Sequence, residues 1–209
     1  MNDLRSAVEV FDNWAQIGKD EGMEKGHSPA VGEMLDYIFE KMGDRKDKFS
    51  AIDIGCGNGW VVRLLQKNSS CKFAVGIDGS KSMIEKAKNI DPEGDYRIAL
   101  LPEYNPESKF DVVHSMEFIY YLKEPEKLMK NIYDNWLNAD GWLIMGVDHY
   151  LENEESLSWP EKVGVYMNTK SEKEWIDVWE SCGYNSVISW KANVGPNSNG
   201  TLVIAGKKN

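Results

Sequence analysis

Positive charge is scarce in this chain. Lys and Arg number 24 against 34 Asp and Glu, a formal net charge of −10. A surface of that sign repels phosphate backbones and anionic headgroups, so neither nucleic acid nor membrane is expected as a partner. Long apolar runs are missing too; none approaches the ~18 residues a membrane span requires. Cysteine is sparse: Cys56, Cys71 and Cys182 are odd in number and scattered, with no C-x-x-C pair. That argues against a disulfide framework and structural zinc, and predicts reduced thiols in a cytoplasmic setting with no metal. The opening MNDLRSAVEVFDNW lacks the basic-then-apolar order of a secretory signal. Repeats, low-complexity tracts and an interdomain linker are absent, and 209 residues suit a single domain over 1–209. Nothing in the pattern speaks to oligomeric state.

What is present is alternation. Leu4, Ala7, Val8, Phe11, Trp14 and Ala15 fall at helical spacing. Glycines and charges in GKDEGMEKGH, 18–27, interrupt that pattern; Ser28-Pro29 then reads as the N-cap and first turn of a second helix. Its stripe is Val31, Met34, Leu35, Ile38, Phe39 and Met42, and Gly43 stops it. The polar, glycine-rich interruption reads as the lid or entry part of an N-terminal helical segment, 1–43. Strands are expected at 51–54, 73–78, 97–101, 110–116 and 142–148. Helices between them are expected at 60–67, from a Ser82/Glu85 capping box to Asn89, and from Pro125 to Gly141. A second box, Ser171 to Glu174, opens a last helix. The final strands SVISW and TLVIAG have no helix between them. This pattern predicts an α/β fold: a doubly wound, mostly parallel, seven-stranded Rossmann-like sheet with an antiparallel final strand. Ligands of such sheets lie beyond the carboxyl ends of the strands.

The first strand runs into a glycine loop, AIDIGCGNGW. Gly55, Gly57 and Gly59 uncover backbone N–H groups ahead of a helix N-terminus. The spacing is G-x-G-x-G, and Trp60 stands where a dinucleotide fingerprint has its third glycine, which argues against NAD and an oxidoreductase. Asp78 ends the next strand, where an acid can accept both hydroxyls of a ribose.

DIGCGNG, VGIDGSKSMIEKAK, FDVVHSMEFIYYL and GWLIMGV, in this order, resemble the class I S-adenosylmethionine-dependent methyltransferases of small-molecule type. The resemblance covers about residues 52–146 and continues weakly to the last strands. It implies S-adenosylmethionine as cofactor and S-adenosylhomocysteine as product. It implies that Asp53 and the loop with Gly55, Cys56, Gly57 and Gly59 surround the methionine portion, and that Asp78 binds the ribose diol. Gly79 and Met83 fall near adenine, with one of Ala99, Leu100 and Leu101 over the ring. Ser115, Met116 and Glu117 approach the amino-acid end. Many relatives carry an acid shortly before the Leu101-Pro102 position, where this chain reads YRIALLP.

Methyl transfer needs in-line alignment of a nucleophile with the S–CH₃ bond, and positioning supplies roughly 7–11 kcal/mol. A base is needed only when the nucleophile must lose a proton early. His114 and His149, past strand ends, are the catalytic candidates. Trp14, Lys19, Met23, His27, Tyr120, Tyr121 and His149 are the candidates for binding the small-molecule acceptor. Glu152, Glu154 and Glu155 form an acidic stretch after the fifth strand. The alternatives are a protein or RNA methyltransferase, and a catalytically silent S-adenosylmethionine-binding subunit.

Overall fold

A computed structural model describes residues 4–43, 45–196 and 198–209. Seven strands form one sheet: β1 (Phe49–Ile54), β2 (Cys71–Asp78), β3 (Asp95–Ile98), β4 (Phe110–Met116), β5 (Leu137–Val147), β6 (Asn185–Ala192) and β7 (Thr201–Lys207). Their order is β3-β2-β1-β4-β5-β7-β6. The first five are mutually parallel, and β7 lies antiparallel between β5 and β6. The doubly wound, mostly parallel sheet expected from the alternation is therefore what forms. Strand order reverses between β1 and β4, so their carboxyl ends open a crevice.

The β1 sequence FSAIDI is buried at every position, as a central parallel strand must be. One side of the sheet carries α5 (Pro125–Asn131) and α7 (Glu172–Ser181), with Trp136, Trp175 and Trp179 fully covered. The other side carries α2 (Asp20–Gly43), α3 (Trp60–Lys67) and α4 (Lys81–Ile90), through Val31, Met34, Leu65 and Ile84. A short helix α6 (Trp159–Val163) lies in the connection from β5 to α7, and α1 (Ala7–Gln16) precedes α2. The Ser171–Glu174 box caps α7 as expected.

Strands β1 and β2 begin two residues before the expected starts, β3 ends at Ile98 rather than 101, and three further boundaries differ for a local reason. Helix α2 is continuous from Asp20, with Pro29 inside it. Pro29 has no N–H for the Lys25 carbonyl. The Ser28 hydroxyl donates to that carbonyl instead, at 3.2 Å, so Ser28 patches the helix rather than starting it. Helix α4 is capped by Ser80, whose hydroxyl accepts from Met83 N–H, and Ser82 lies inside the helix. The helix after Pro125 ends at Trp136 in a wide π-type turn, and Gly141 sits within β5. At that end Trp136 is buried and donates to Asn105 at 3.1 Å. The pairing with β4 then slips between Phe110 and Val112.

Asp12 fastens α1 to α4. Its carboxylate accepts from the Ser82 N–H, from both serine hydroxyls, Ser80 and Ser82, and from Gln16. The Ser82 N–H and then the Ser80 hydroxyl hold its carboxyl below the usual Asp range. A lowered folded-state pKa means the latch contributes at neutral pH and is lost as pH falls through that value. Asp12→Ala is expected to cost about 0.5–2 kcal/mol, the scale of a lost cap. The variant should also speed limited proteolysis within α1. Wild-type and variant melting temperatures should start to converge below the ordinary Asp value of ~3.9 and meet only once pH has passed the lowered folded-state value. Equal proteolysis rates at pH 7 would refute the latch.

Candidate active site

The carboxyl ends of β1 to β4, together with α1 and the first half of α2, line a cavity of about 280 Å³. The β1–α3 loop forms its floor. Gly55 has φ +71°, and a Cβ there would stand 2.8 Å from Phe118, so the loop and the segment after β4 are in close contact. Gly57 N–H donates to Asp78 at 2.9 Å, and Ser80 N–H donates to the other oxygen at 2.8 Å. Asp78 thus folds both turns towards itself. Burial pushes its carboxyl up from the usual range, against those two N–H bonds.

Most residues expected around the cofactor do line this cavity: Asp53, Gly55, Cys56, Gly57, Asp78, Gly79, Met83, Leu100, Leu101, Met116 and Glu117. Gly59 and Ser115 do not. Gly59 faces Tyr96, and the Ser115 hydroxyl is buried on the Ile54 carbonyl at 3.1 Å. Ala99 joins Leu100 and Leu101 at the end beyond β3, while Arg97 turns to Asp95.

The two histidine candidates lie outside the cavity, and His114 stands within β4 rather than past its end. His149 donates from Nδ1 to the Ser156 carbonyl at 3.0 Å, so its Nε2 accepts from the Thr169 hydroxyl at 2.8 Å. Burial lowers its pKa, and both ring nitrogens are engaged in the wall. His114 is fully buried on β4, directly beside its register partner Asp53, with Nδ1 2.7 Å from the carboxylate. Its Nε2 has no partner. It reaches the cavity only through Asp53, which it orients.

Of the acceptor candidates, Met23, His27 and Tyr121 line the cavity. Tyr120 is buried behind them, its hydroxyl donating to Glu117 at 2.7 Å. Trp14 packs edge-on against Phe11, and Lys19 stands 3.6 Å over the Trp14 ring; both support the wall from outside. Glu152 accepts from the first N–H of α7, and the stretch with Glu154 and Glu155 does not reach the cavity.

Several lining residues carried no expectation: Ala7, Val8 and Phe11 of α1, Asp20 and Glu24 of α2, Asn58 and Phe118. Asp20, Met23, Glu24 and His27 stand at i, i+3, i+4 and i+7 on one face of α2. Asp20 accepts from Asn58 at 3.0 Å and from Lys86 at 2.9 Å, binding α2 to the glycine loop and to α4.

The far end of the cavity is built around Glu117. Its φ is +56°, a strained value for a side chain of this size. The strained turn is held by its N–H on the Gly146 carbonyl. Tyr120 donates to one carboxylate oxygen and the Asp148 N–H to the other. Donor atoms of His27, Glu117 and Asp148 all lie within 4.8 Å of one another, and His27 Nε2 is 3.4 Å from Asp148. Burial, then the charge of Asp148, push the Glu117 carboxyl up to about 8. Burial works to lower the His27 pKa, but Asp148 and Glu117 outweigh it and raise it.

The methyltransferase-domain family profile matches residues 25–188. With that match and the site at the β1/β4 crevice, the chain belongs to the class I S-adenosylmethionine-dependent methyltransferase family. It is 28% identical over 172 residues to the malonyl-[acyl-carrier protein] O-methyltransferase of Halalkalibacterium halodurans, covering 76% of this chain and 59% of that protein. The chain thus spans somewhat more than half the length of the curated relatives it matches. Among solved structures, it is similar in fold to a chain of the complex between the Haloferax volcanii Trm112 methyltransferase activator and a methyltransferase. That similarity has a TM-score of 0.79, 21% identity and 98% of each chain covered. It is also similar to phosphoethanolamine N-methyltransferase 2 of Haemonchus contortus in complex with S-adenosyl-L-methionine. There the TM-score is 0.66 and the identity 18%, with 84% of this chain and 52% of that one covered. No helix among the described residues is long and apolar enough to cross a membrane.

Proposed function

We propose that this chain transfers the methyl group of S-adenosylmethionine to a small-molecule acceptor held at the Glu117 end of the cavity. The observation that carries the reading is continuity. One continuous pocket runs from Asp78 and the glycine loop to Glu117 and His27. A cofactor with its ribose on Asp78 would extend its sulfonium towards the second end. Asp78 accepts the ribose diol, Leu100, Leu101 and Met83 cover adenine, and Asp53, fixed by His114, takes the cofactor ammonium. The methyl group reacts by in-line displacement. Helix α1 and the first half of α2 act as the lid, since Phe11, Met23 and His27 come from them. An RNA acceptor is disfavoured by the net charge of −10.

Thermal shift tests the cofactor. S-adenosylhomocysteine or S-adenosylmethionine at 100 times its Kd stabilises by ~2.7 kcal/mol, raising Tm by about 5–10 °C for a chain of this size. NAD is expected to give no shift. A shift with NAD alone, or with neither adenosyl compound, would overturn the proposal. Methyl release from labelled S-adenosylmethionine, dependent on an added acceptor, separates an enzyme from a silent binding subunit.

A further inference from the structure

Charge at the cavity is one-sided. Asp20, Glu24, Asp53, Asp78 and Glu117 line it, and no Lys or Arg does among the described residues; His27 is the basic group present. Two of these carboxylates have partners from behind, Asp20 with Lys86 and Asp53 with His114. The Glu117–Asp148 pair faces one histidine and no permanent cation. The cofactor does not cure this. It brings two positive groups and one carboxylate, a net charge of about +1 that leaves most of the five lining carboxylates uncountered. Anionic acceptors would meet repulsion at this end. A cation would meet the Glu117 carboxylate, with Asp148 behind it, and aromatic walls: Phe11 and Tyr121, 5.3 Å apart and edge to face, with Phe118 beside them. Aromatic faces add cation–π attraction in a desolvated site.

We propose that the acceptor is an amine that enters as its ammonium ion, and that Glu117 is the catalytic residue that binds the ammonium and takes its proton. The inference rests on the methyl-transfer reading above and adds the substrate class. An ammonium nitrogen has no lone pair and cannot attack. Transfer of one N–H proton to the Glu117 carboxylate frees the pair. The nitrogen then bonds to the methyl carbon as the C–S bond breaks, and that bonding pair stays on sulfur. S-adenosylhomocysteine leaves neutral, the N-methylated amine leaves as its ammonium, and the Glu117 proton returns to solvent. The backbone strain at Glu117 fits this role, because it holds at the cavity a carboxylate that has hydrogen-bond donors from Tyr120 and Asp148 but no Lys or Arg beside it among the described residues.

The test uses the full chain with saturating S-adenosylhomocysteine and three matched probes: phenethylamine, 2-phenylethanol and 3-phenylpropanoate. By calorimetry the amine is expected to bind at least tenfold tighter than the alcohol, and the carboxylate weakest. In Glu117→Gln the amine-to-alcohol ratio should fall at least tenfold; being a ratio, it is insensitive to any change in cofactor affinity. Asp148→Asn, the second variant, should lower it less. The groups facing Glu117 are Tyr120, Tyr121, Asp148 and His27, and the carboxylate forms as pH rises through about 8. Amine preference should therefore grow between pH 6.5 and 8.5 in wild type and grow less in Glu117→Gln, where only His27 still loses its charge. EDTA should change nothing. Amine binding no tighter than alcohol binding overturns the inference, as does an unchanged ratio in both variants or loss of amine binding with EDTA. Those results leave methyl transfer standing, whereas failure of S-adenosylhomocysteine to bind at all removes the underlying reading instead.

Discussion

Asp78→Asn should abolish the thermal shift given by S-adenosylhomocysteine. In the free protein both carboxylate oxygens accept a backbone N–H, from Gly57 and from Ser80. Each oxygen keeps capacity for one more donor, and a ribose diol supplies two hydroxyls. A hydrogen bond to a charged group contributes about 1.5–3 kcal/mol, so losing two weakens affinity roughly 10²–10⁴-fold. Asparagine is the demanding substitution because its shape is nearly that of aspartate. Its NH₂ must face either the Gly57 or the Ser80 N–H, two donors in opposition, and must turn a donor towards the diol. The fold itself should tolerate the change. The Asp78 carboxyl is raised above its ordinary value by burial, so the charged group contributes least to stability once pH has risen past that value. Asparagine carries no such charge, which offsets part of the lost hydrogen bonding near neutral pH. Melting within a few degrees of wild type, together with loss of the ligand shift and of calorimetric binding, is the expected pair of results. A wild-type shift in Asp78→Asn would remove Asp78 from the cofactor's contacts.

Asp78 was legible because its position is set by a strand end, and strand ends follow from apolar runs. The same logic placed Asp53, Met116 and Glu117. The first half of α2 was not legible. Gly22, Gly26 and Pro29 all vote against a helix by propensity, and the segment is strongly polar. Yet the stripe 31, 34, 35, 38, 42 continues backwards without a break as 20, 23, 24, 27. The face changes from apolar to polar because it leaves the sheet and covers a cavity. Period, not polarity, was the surviving signal. His149 shows the opposite error. A histidine past a strand end looks available, but Ser156 and Thr169, from a connection of no regular pattern, take both its nitrogens. Tertiary partners of that kind leave no trace in spacing. Ser82 failed for a similar reason: its hydroxyl and N–H go to Asp12, which lies 70 residues earlier.

Gly59→Ala is expected to lower stability by roughly 2–5 kcal/mol, about 5–15 °C in Tm, while leaving the S-adenosylhomocysteine shift in place. The three glycines of the loop look equivalent in sequence, but their surroundings differ. A Cβ at Gly57 would meet only the Met83 sulfur, at 3.9 Å, in the cavity. Gly59 has φ +78° at the start of α3, and a Cβ there would lie 2.3 Å from Tyr96 Cε1 and 3.1 Å from the Ala87 Cβ. The ring cannot retreat. Its other edge lies against Gly94, where a Cβ would stand 2.4 Å away, and its hydroxyl donates to Asp91 at 2.9 Å. Two costs therefore add: left-handed backbone on a side chain, and overpacking against a clamped aromatic. They separate in a double-mutant cycle. Tyr96→Leu alone should destabilise, through lost ring contacts and the lost hydrogen bond. In the double variant the collision has gone and only the backbone strain remains, so the combined cost should fall short of the sum by at least ~1 kcal/mol. Strict additivity would mean that Tyr96 is not what Gly59 makes room for. The close helix–strand packing that a dinucleotide fingerprint assigns to its third glycine, one residue later, is then supplied here by Gly59, leaving position 60 free for Trp60 at the cavity edge.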